Sequence, residues 1–528
     1  IGKEFSEPIL AAVADLPERD LVPSLSALQA AEFIHEKALY PVAEYAFRHP
    51  LTQEVALGSQ LQERRRRIHA AVAGAIEDAN PDKLDENAAL LAHHWEMAGE
   101  ARTASHWHAR AARRAGVTRP EDAFRHWSRV RELMRPVSPS SDPSPLMLQA
   151  IREMLNVGQR VGVADEEVGE LSREGISLAD DIGDIRDQVF LRTHLAQVVL
   201  FSGNPVRCHE LASEALATAE RSGDPELRWG ARETLYTKHY YLGDLEEALR
   251  VSDEAVELAR SDPGMGLDYQ GFTAGGWTLG FRVFIETDLG LLEQADRSGR
   301  ECEQRLMRSL EPEVRGWMYA GWAWLRTHLG DAASALASGR LAVEAAEKGG
   351  SPQSIAITSF YCGITLTRSG HWQDAETCLE RALSVARDRG TWLILEGQIL
   401  AWLAEASLGA GDGARARLLA DKALLASRNR TTRTGECQAY LTLARVQRRT
   451  NGLAAGQQIE PALDGALQLA EETGARIYLP QVHEERAKLA SLRTDDDARD
   501  RELREAHRLY VEMGATGHAE RIGKELEP

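Results

Sequence analysis

The chain has 528 residues, 62 Lys+Arg against 81 Asp+Glu, and a formal charge of −19 at pH 7. A field of that sign repels polyanions, so generic binding to nucleic acid or to an acidic membrane surface is disfavoured. At this length a single compact core is excluded in favour of several domains or an elongated repeat array, and 43% hydrophobic residues is ordinary for a protein that folds in water.

The opening stretch, IGKEFSEPILAAV, begins at Ile1 and reads as mid-domain sequence, so the chain is expected to be a fragment or a subunit of something longer. PSLSALQAAEFIHEKALYPVAEYAFRHP predicts a helix over 24–32 and two short strands, about 33–37 and 43–48, joined by a Pro-containing turn. A helix followed by a hairpin suggests a winged helix over 1–60. Helical segments follow at 51–79, 84–98, 101–115 and 120–134, which predicts a helical connector domain over 61–135. In the first of these, Leu57, Leu61, Ile68, Val72 and Ile76 fall on one apolar stripe. Arg66 and Arg67 point away from that stripe and Arg64 and Arg65 flank it, so the four arginines read as the wet side of a helix. His93, His94, His106 and His108 resemble a metal cluster by number only. Neighbouring and i,i+2 histidines diverge on a helix, and packing or surface roles are expected. RPVSPSSDPSP, 135–145, is rich in Pro and Ser and predicts a linker over 136–145.

Beyond it the dominant signal is a turn glycine followed by small residues at fixed offsets. The glycines are Gly203, Gly243, Gly290, Gly330, Gly370 and Gly411. Five residues later come Cys208, Ala248, Ala295, Ala335, Ala375 and Ala416, and twelve later come Ala215, Ala255, Cys302, Ala342, Ala382 and Ala423. Weaker copies sit near Gly99, Gly162 and Gly452. Glycine can take the left-handed conformation that ends one helix, and Asn204, Asp244, Asp331 and Asp412 can cap the next, with Pro205 at a first helical position. Small residues seven apart share a helix face and let a neighbour approach closely. Each unit is therefore a helix hairpin that must stack on its neighbours to bury its face.

This pattern resembles the tetratricopeptide repeat, at a period near 40 rather than 34, over roughly 146–513. The resemblance implies an all-α chain: a winged helix followed by a tetratricopeptide-like α-solenoid over 146–528 with capping helices at its end. The order of YAFRHPLTQEVALGSQLQERRRRIHAAVA, LDENAALLAHHWEMAGE and helical repeats also resembles the region downstream of the nucleotide-binding module in STAND-type signalling ATPases, with the bacterial branch carrying a class III nucleotide cyclase most similar. MGATGHAERIGKEL, 513–526, is similar to that branch too. In that superfamily a winged-helix histidine, in a motif of the form Met-His-Asp, contacts the diphosphate of ADP. FRHPLTQEVA matches by position, which implies His49 with its neighbour Arg48 as nucleotide-sensing residues, although Pro50 replaces the motif's aspartate.

The resemblance implies a non-catalytic regulatory and protein-interaction region. Its partners would be an upstream nucleotide-binding domain and a protein or small-molecule effector, and self-association is left open. No P-loop occurs in the sequence, so ATP or ADP belongs to the upstream ATPase domain and no cofactor is expected in this chain. GDGARA at Gly411 formally fits a dinucleotide fingerprint, but no strand precedes it. No catalytic constellation or metal site is expected. The alternative is a maltose-regulator-like transcription regulator with a DNA-binding output. Five scattered cysteines without a C-x-x-C pair fit reduced thiols and a cytoplasmic location, and no uncharged run is apolar enough to span a membrane.

The effector would lie in a groove. Tetratricopeptide proteins line their concave face with positions 13, 10, 6, 3 and 2 before the turn glycine. Those offsets select Tyr240 and Tyr241 (from Gly243), Trp277 and Phe284 (from Gly290), Trp317, Trp324 and His328 (from Gly330) and Phe360 (from Gly370), whereas Trp322 takes a core offset. Longer helices could instead rotate these rings into the core.

Overall fold

The computed structural model describes residues 3–527 except 15, 39–41, 136–143, 162, 164, 271, 307–311 and 350. The chain divides into two compact units, Ile1–Met154 and Leu155–Pro528. Most of the predicted linker lies outside the described residues.

The first unit opens with β1 (Glu4–Ser6), α1 (Glu7–Val13), α2 (Glu18–Ala30), β2 (Ile34–Ala38) and β3 (Glu44–Phe47). The strands form an antiparallel sheet in the order β1-β3-β2, with Tyr45 opposite Phe5 and Phe47 opposite Ile34. Leu21 and Leu25 of α2 pack on Ile34 and Tyr45, with Phe5 and Phe47 closing the small core. The hairpin strands fall where alternation placed them. The helix before them starts earlier than expected because Pro23 sits inside it, one turn after its start, and does not end it.

The stretch read as one helix over 51–79 is two, α3 (Pro50–Gly58) and α4 (Gln62–Ala79). Leu61 adopts an extended conformation (φ −60°, ψ 144°) that breaks the ladder and leaves Leu57 and Leu61 exposed. Only Ile68, Val72 and Ile76 of the expected stripe reach the core. Arg64, Arg66 and Arg67 are exposed and Arg65 is half-buried; Arg67 pairs with Glu63 at 3.3 Å. Arg64, Arg66 and Arg67 thus face water as their phase on the helix required, whereas the Nε of Arg65 is buried.

Three further helices, α5 (Leu84–Ala98), α6 (Ala101–Ala115) and α7 (Pro120–Leu133), close on the expected spans. Histidines pair between helices: His69 Nδ1 lies 2.9 Å from His94 Nδ1, and His108 Nδ1 lies 2.9 Å from His126 Nδ1. Each such bond needs one donor and one acceptor nitrogen, so both rings of a pair cannot be doubly protonated. Burial pushes His126 down to about 4 and lowers His69 and His108. Among the described residues no group of three or more His, Cys, Asp or Glu could hold a metal ion.

The second unit is an all-α solenoid. α8 (Pro145–Val161) spans the boundary of the two units; after it and α9 (Asp165–Ile182), the hairpins are α10 (Ile185–Phe201) with α11 (Pro205–Ser222) and α12 (Pro225–Leu242) with α13 (Leu245–Arg260). After the short α14 (Leu267–Gln270) come α15 (Ala274–Asp288) with α16 (Leu292–Leu306), α17 (Pro312–Leu329) with α18 (Ala332–Gly349), and α19 (Pro352–Arg368) with α20 (Trp372–Arg389). The array ends with α21 (Glu396–Gly409) and α22 (Gly413–Asn429), α23 (Arg433–Asn451) and α24 (Gly456–Thr473), α25 (Leu479–Leu492) and α26 (Asp496–Met513), and the final α27 (Thr516–Leu526). Gly162, read as a weak turn copy, lies outside the described residues.

The repeat chemistry behaves as its spacing requires. The six turn glycines have φ between +74° and +95°, a conformation that costs an L-residue roughly 1–2 kcal/mol. All twelve small residues at offsets five and twelve are at most 2% exposed, so each marks a helix–helix contact. Asn204, Asp331 and Asp412 accept the backbone N–H three residues on, as expected of caps. Asp244 does not; its carboxylate accepts from His239 Nδ1 at 3.2 Å instead.

The solenoid also curls until it meets itself. Arg430 donates to the Ser202 carbonyl at 3.0 Å, and His518 Nε2 donates to the Thr327 carbonyl at 3.1 Å. A Cβ on Gly243 would come within 2.9 Å of Thr473, on Gly290 within 2.7 Å of Met513 Sδ, and on Gly330 within 2.6 Å of the His518 backbone nitrogen. The turns that end α10, α12, α15 and α17 thus serve twice, reversing the chain and seating the next coil. Among the described residues no helix is long and apolar enough to cross a membrane.

Candidate functional site

Because the superhelix closes, its concave face lines an interior rather than an open groove. Among the described residues, two of the cavities are lined from this face. The first, about 60 Å³, is bounded by Phe201, Phe281, Trp277, Trp317 and Trp392, with Gln197, Glu233 and Thr237 on the polar side. The rings interlock: Phe201 and Trp392 have centroids 4.2 Å apart, Trp317 and Trp392 5.3 Å, and Trp277 and Trp317 5.4 Å. Glu233 is buried and accepts from Trp277 Nε1 at 3.2 Å, from Thr237 at 3.5 Å and from Gln197 Nε2. A volume this small holds a few water molecules, so a larger ligand enters only if the rings move.

The other predicted groove residues lie beside this cavity. Tyr240, Tyr241, Phe284, Trp324 and Phe360 are buried within a continuous aromatic column, in which Phe284 and Tyr361 have centroids 5.0 Å apart and Trp324 stacks edge-on with His328 at 4.4 Å. Of the eight predicted residues, Trp277 and Trp317 line the first cavity and His328 the second. Trp322, expected in the core, is buried against Gly299 of α16. Trp324 Nε1 donates to Asp288 Oδ1 at 2.7 Å. Burial pushes that carboxyl up to about 7 against the pull of the Trp324 and Tyr240 hydrogen bonds.

The second cavity, about 220 Å³, is of opposite character. Arg368, Arg445, Arg448, Arg449, Lys488 and Arg521 face three carboxylates, Glu405, Glu484 and Glu485. Arg445 spans Glu405 (2.8 Å) and Glu485 (3.3 Å), Arg448 and Lys488 each reach Glu485 at 2.9 Å, and Arg521 reaches Glu484 at 2.7 Å. Burial alone would raise Glu485, but Lys488, Arg445 and Arg448 outweigh it and hold the carboxyl at about 2.

The aromatic reading of the glycine offsets passes over much of these linings, although the same offsets carry them. They select Gln197 and Phe201 from Gly203, Glu233 and Thr237 from Gly243, Arg368 from Gly370, Glu405 from Gly411 and Arg449 from Gly452. Every one lines a cavity.

Arg48 and His49 belong to the first unit, at the end of β3 and the start of α3. Both are exposed. His49 is extended (φ −129°, ψ 133°) and its side chain does not cap α3. Arg48 reaches Glu32 at 3.2 Å.

No family model matches the chain, and no curated protein matches it. Solved structures do. A Rap protein complexed with competence and sporulation factor is 14% identical, covering 65% of this chain and 97% of that one at a TM-score of 0.44. A Signal Transduction ATPase with Numerous Domains (STAND) protein with a tetratricopeptide repeat sensor, from Pyrococcus horikoshii, is 16% identical, covering 75% of this chain and 57% of that one at a TM-score of 0.40. A chain of an APC/C hetero-tetramer is 12% identical over 89% of this chain and 95% of its own, with a TM-score of 0.44. These are likenesses of fold alone; the tetratricopeptide-like solenoid of the second unit rests on its own helix hairpins and turn glycines.

Proposed function

We propose that the chain is the regulatory and sensor region of a STAND-type ATPase, a non-catalytic body that receives an effector and controls an attached nucleotide cyclase. The observation that carries this reading is the order of parts. A strand, two helices and a hairpin come first, their three strands pairing with β3 in the middle, which supports reading this part as a winged helix, and further helices and a repeat solenoid follow. His49 supports it from the sequence side, because the residue matched to the ADP-contacting histidine is exposed at the end of β3, free to meet a nucleotide held by another domain. The effector would enter through the concave face, where Trp277 and Trp317 bound the aromatic cavity.

The test uses the polypeptide with its upstream ATPase. His49→Ala should weaken ADP retention roughly tenfold or more and raise basal output, because a charge-assisted phosphate contact contributes about 1.5–3 kcal/mol. Unchanged ADP affinity together with unchanged basal output removes the assignment. A tight, sequence-specific gel shift at physiological salt would move the reading to the DNA-binding alternative.

A further inference from the structure

The charged cavity holds more than a structural ion-pair network needs. Six cationic side chains meet three carboxylates, an excess of three positive charges inside a protein whose net charge is −19. Four of the six, Arg445, Arg448, Lys488 and Arg521, share the three carboxylates Glu405, Glu484 and Glu485. Among the described residues, Arg368 and Arg449 have no carboxylate within ion-pair distance. Arg368 stacks 4.9 Å from the Trp402 ring and donates to Gln481 Oε1 at 2.7 Å, so its guanidinium is held in place by neutral groups only. Its side chain is exposed to the cavity space, yet protein surrounds it. That burial and the nearby Arg445 lower its pKa. His328, 7% exposed, also lines the cavity, and its Nε2 is buried without a hydrogen-bond partner among the described residues. Burial strongly disfavours its charged form, so the ring is neutral and can offer Nε2–H.

A preformed cluster of repelling cations with an orphaned buried donor beside it destabilises the empty fold unless an anion completes it. Guanidinium forks fit the oxygens of a phosphate group in pairs, and a cavity of about 220 Å³ leaves room for a diphosphate with its waters. We propose that this cavity binds a small phosphorylated molecule, its phosphate held by Arg368 and Arg449 and capped by His328. The site stands whether or not an ATPase precedes the chain.

Calorimetric titration and thermal melting of the whole chain decide it, with inorganic pyrophosphate as the probe and citrate as the carboxylate comparison, each at matched ionic strength. One pyrophosphate should bind per chain and raise the melting temperature. Arg368→Gln and Arg449→Gln should each weaken binding at least about tenfold, the loss expected for one charge-assisted contact. Arg67→Gln, on the exposed face of α4, should leave it unchanged. Arg449 is exposed at the mouth and its variant will fold, so it decides the matter if Arg368→Gln does not. No binding up to roughly 10 mM, equal binding by wild type and Arg449→Gln, or citrate binding without pyrophosphate binding would each overturn the proposal.

Discussion

The two cavities of the superhelix are built from the same positions of the same repeat and share almost nothing chemically. Between α10 and α19 the inner-face positions carry Phe201, Trp277 and Trp317, and the space collapses to about 60 Å³ of interlocked rings. Between α17 and α27 they carry Arg368, Glu405 and Arg449, and the space stays open at about 220 Å³. The residues that hold helices together, the turn glycine and the small residues five and twelve later, are alike from Gly203 to Gly411 and lapse only at Gly452, where Gln457 and Asp464 take the two offsets. Scaffold and lining are therefore set by separate positions. Apolar rings fill a lumen because water is driven out of it, whereas like charges with hydration shells hold it apart.

The largest effect that tests this contrast is expected in the aromatic half. Trp324→Ala removes a buried indole and the donor to Asp288, and should cost about 3–5 kcal/mol in urea unfolding, with Trp322→Ala in the same range. A loss well under 1 kcal/mol at Trp324 would mean that the ring lines an accessible wall after all.

Asp288 sharpens the contrast through pH. Its carboxyl is raised in the folded chain to about 7 from an ordinary value of 3.8, so between those values the unfolded chain binds fewer protons than the folded one. Stability is then greatest below about pH 4 and falls as pH rises through about 7, by an amount on the order of 4 kcal/mol from this group. Asp288→Asn keeps an acceptor for Trp324 and should flatten that fall. Identical pH–stability curves for the two proteins would refute the assignment.

The smallest effect belongs to the charged half. Arg449→Gln removes a cation that has no carboxylate partner, so the melting free energy should change by no more than about 0.5 kcal/mol in dilute buffer. A cost of several kcal/mol would show the two cavities to be equally structural.

What the sequence disclosed follows the same division. Glycine and alanine spacing located the hairpins because close helix packing tolerates only small residues there, and the N-terminal hairpin was legible from alternation. The break between α3 and α4 was not, since Leu57 and Leu61 continue the helical phase and yet lie exposed at 40% and 80%. Which predicted rings would be enclosed was also illegible. It depends on Gly290 and Gly330 meeting Met513 and His518, contacts made about two hundred positions apart that no local pattern encodes. The charged lining could have been found by applying the glycine offsets to every residue type.

That self-contact changes how the array should fold. In a linear solenoid each repeat touches only its neighbours, so the ends fray independently and folding can start anywhere along the chain. Here the seams at Ser202–Arg430 and Thr327–His518 bind early repeats to late ones. Closing loops of that size precedes any gain from the contacts, which raises contact order and slows folding, while the finished ring loses its free ends and unfolds more nearly as a single cooperative unit.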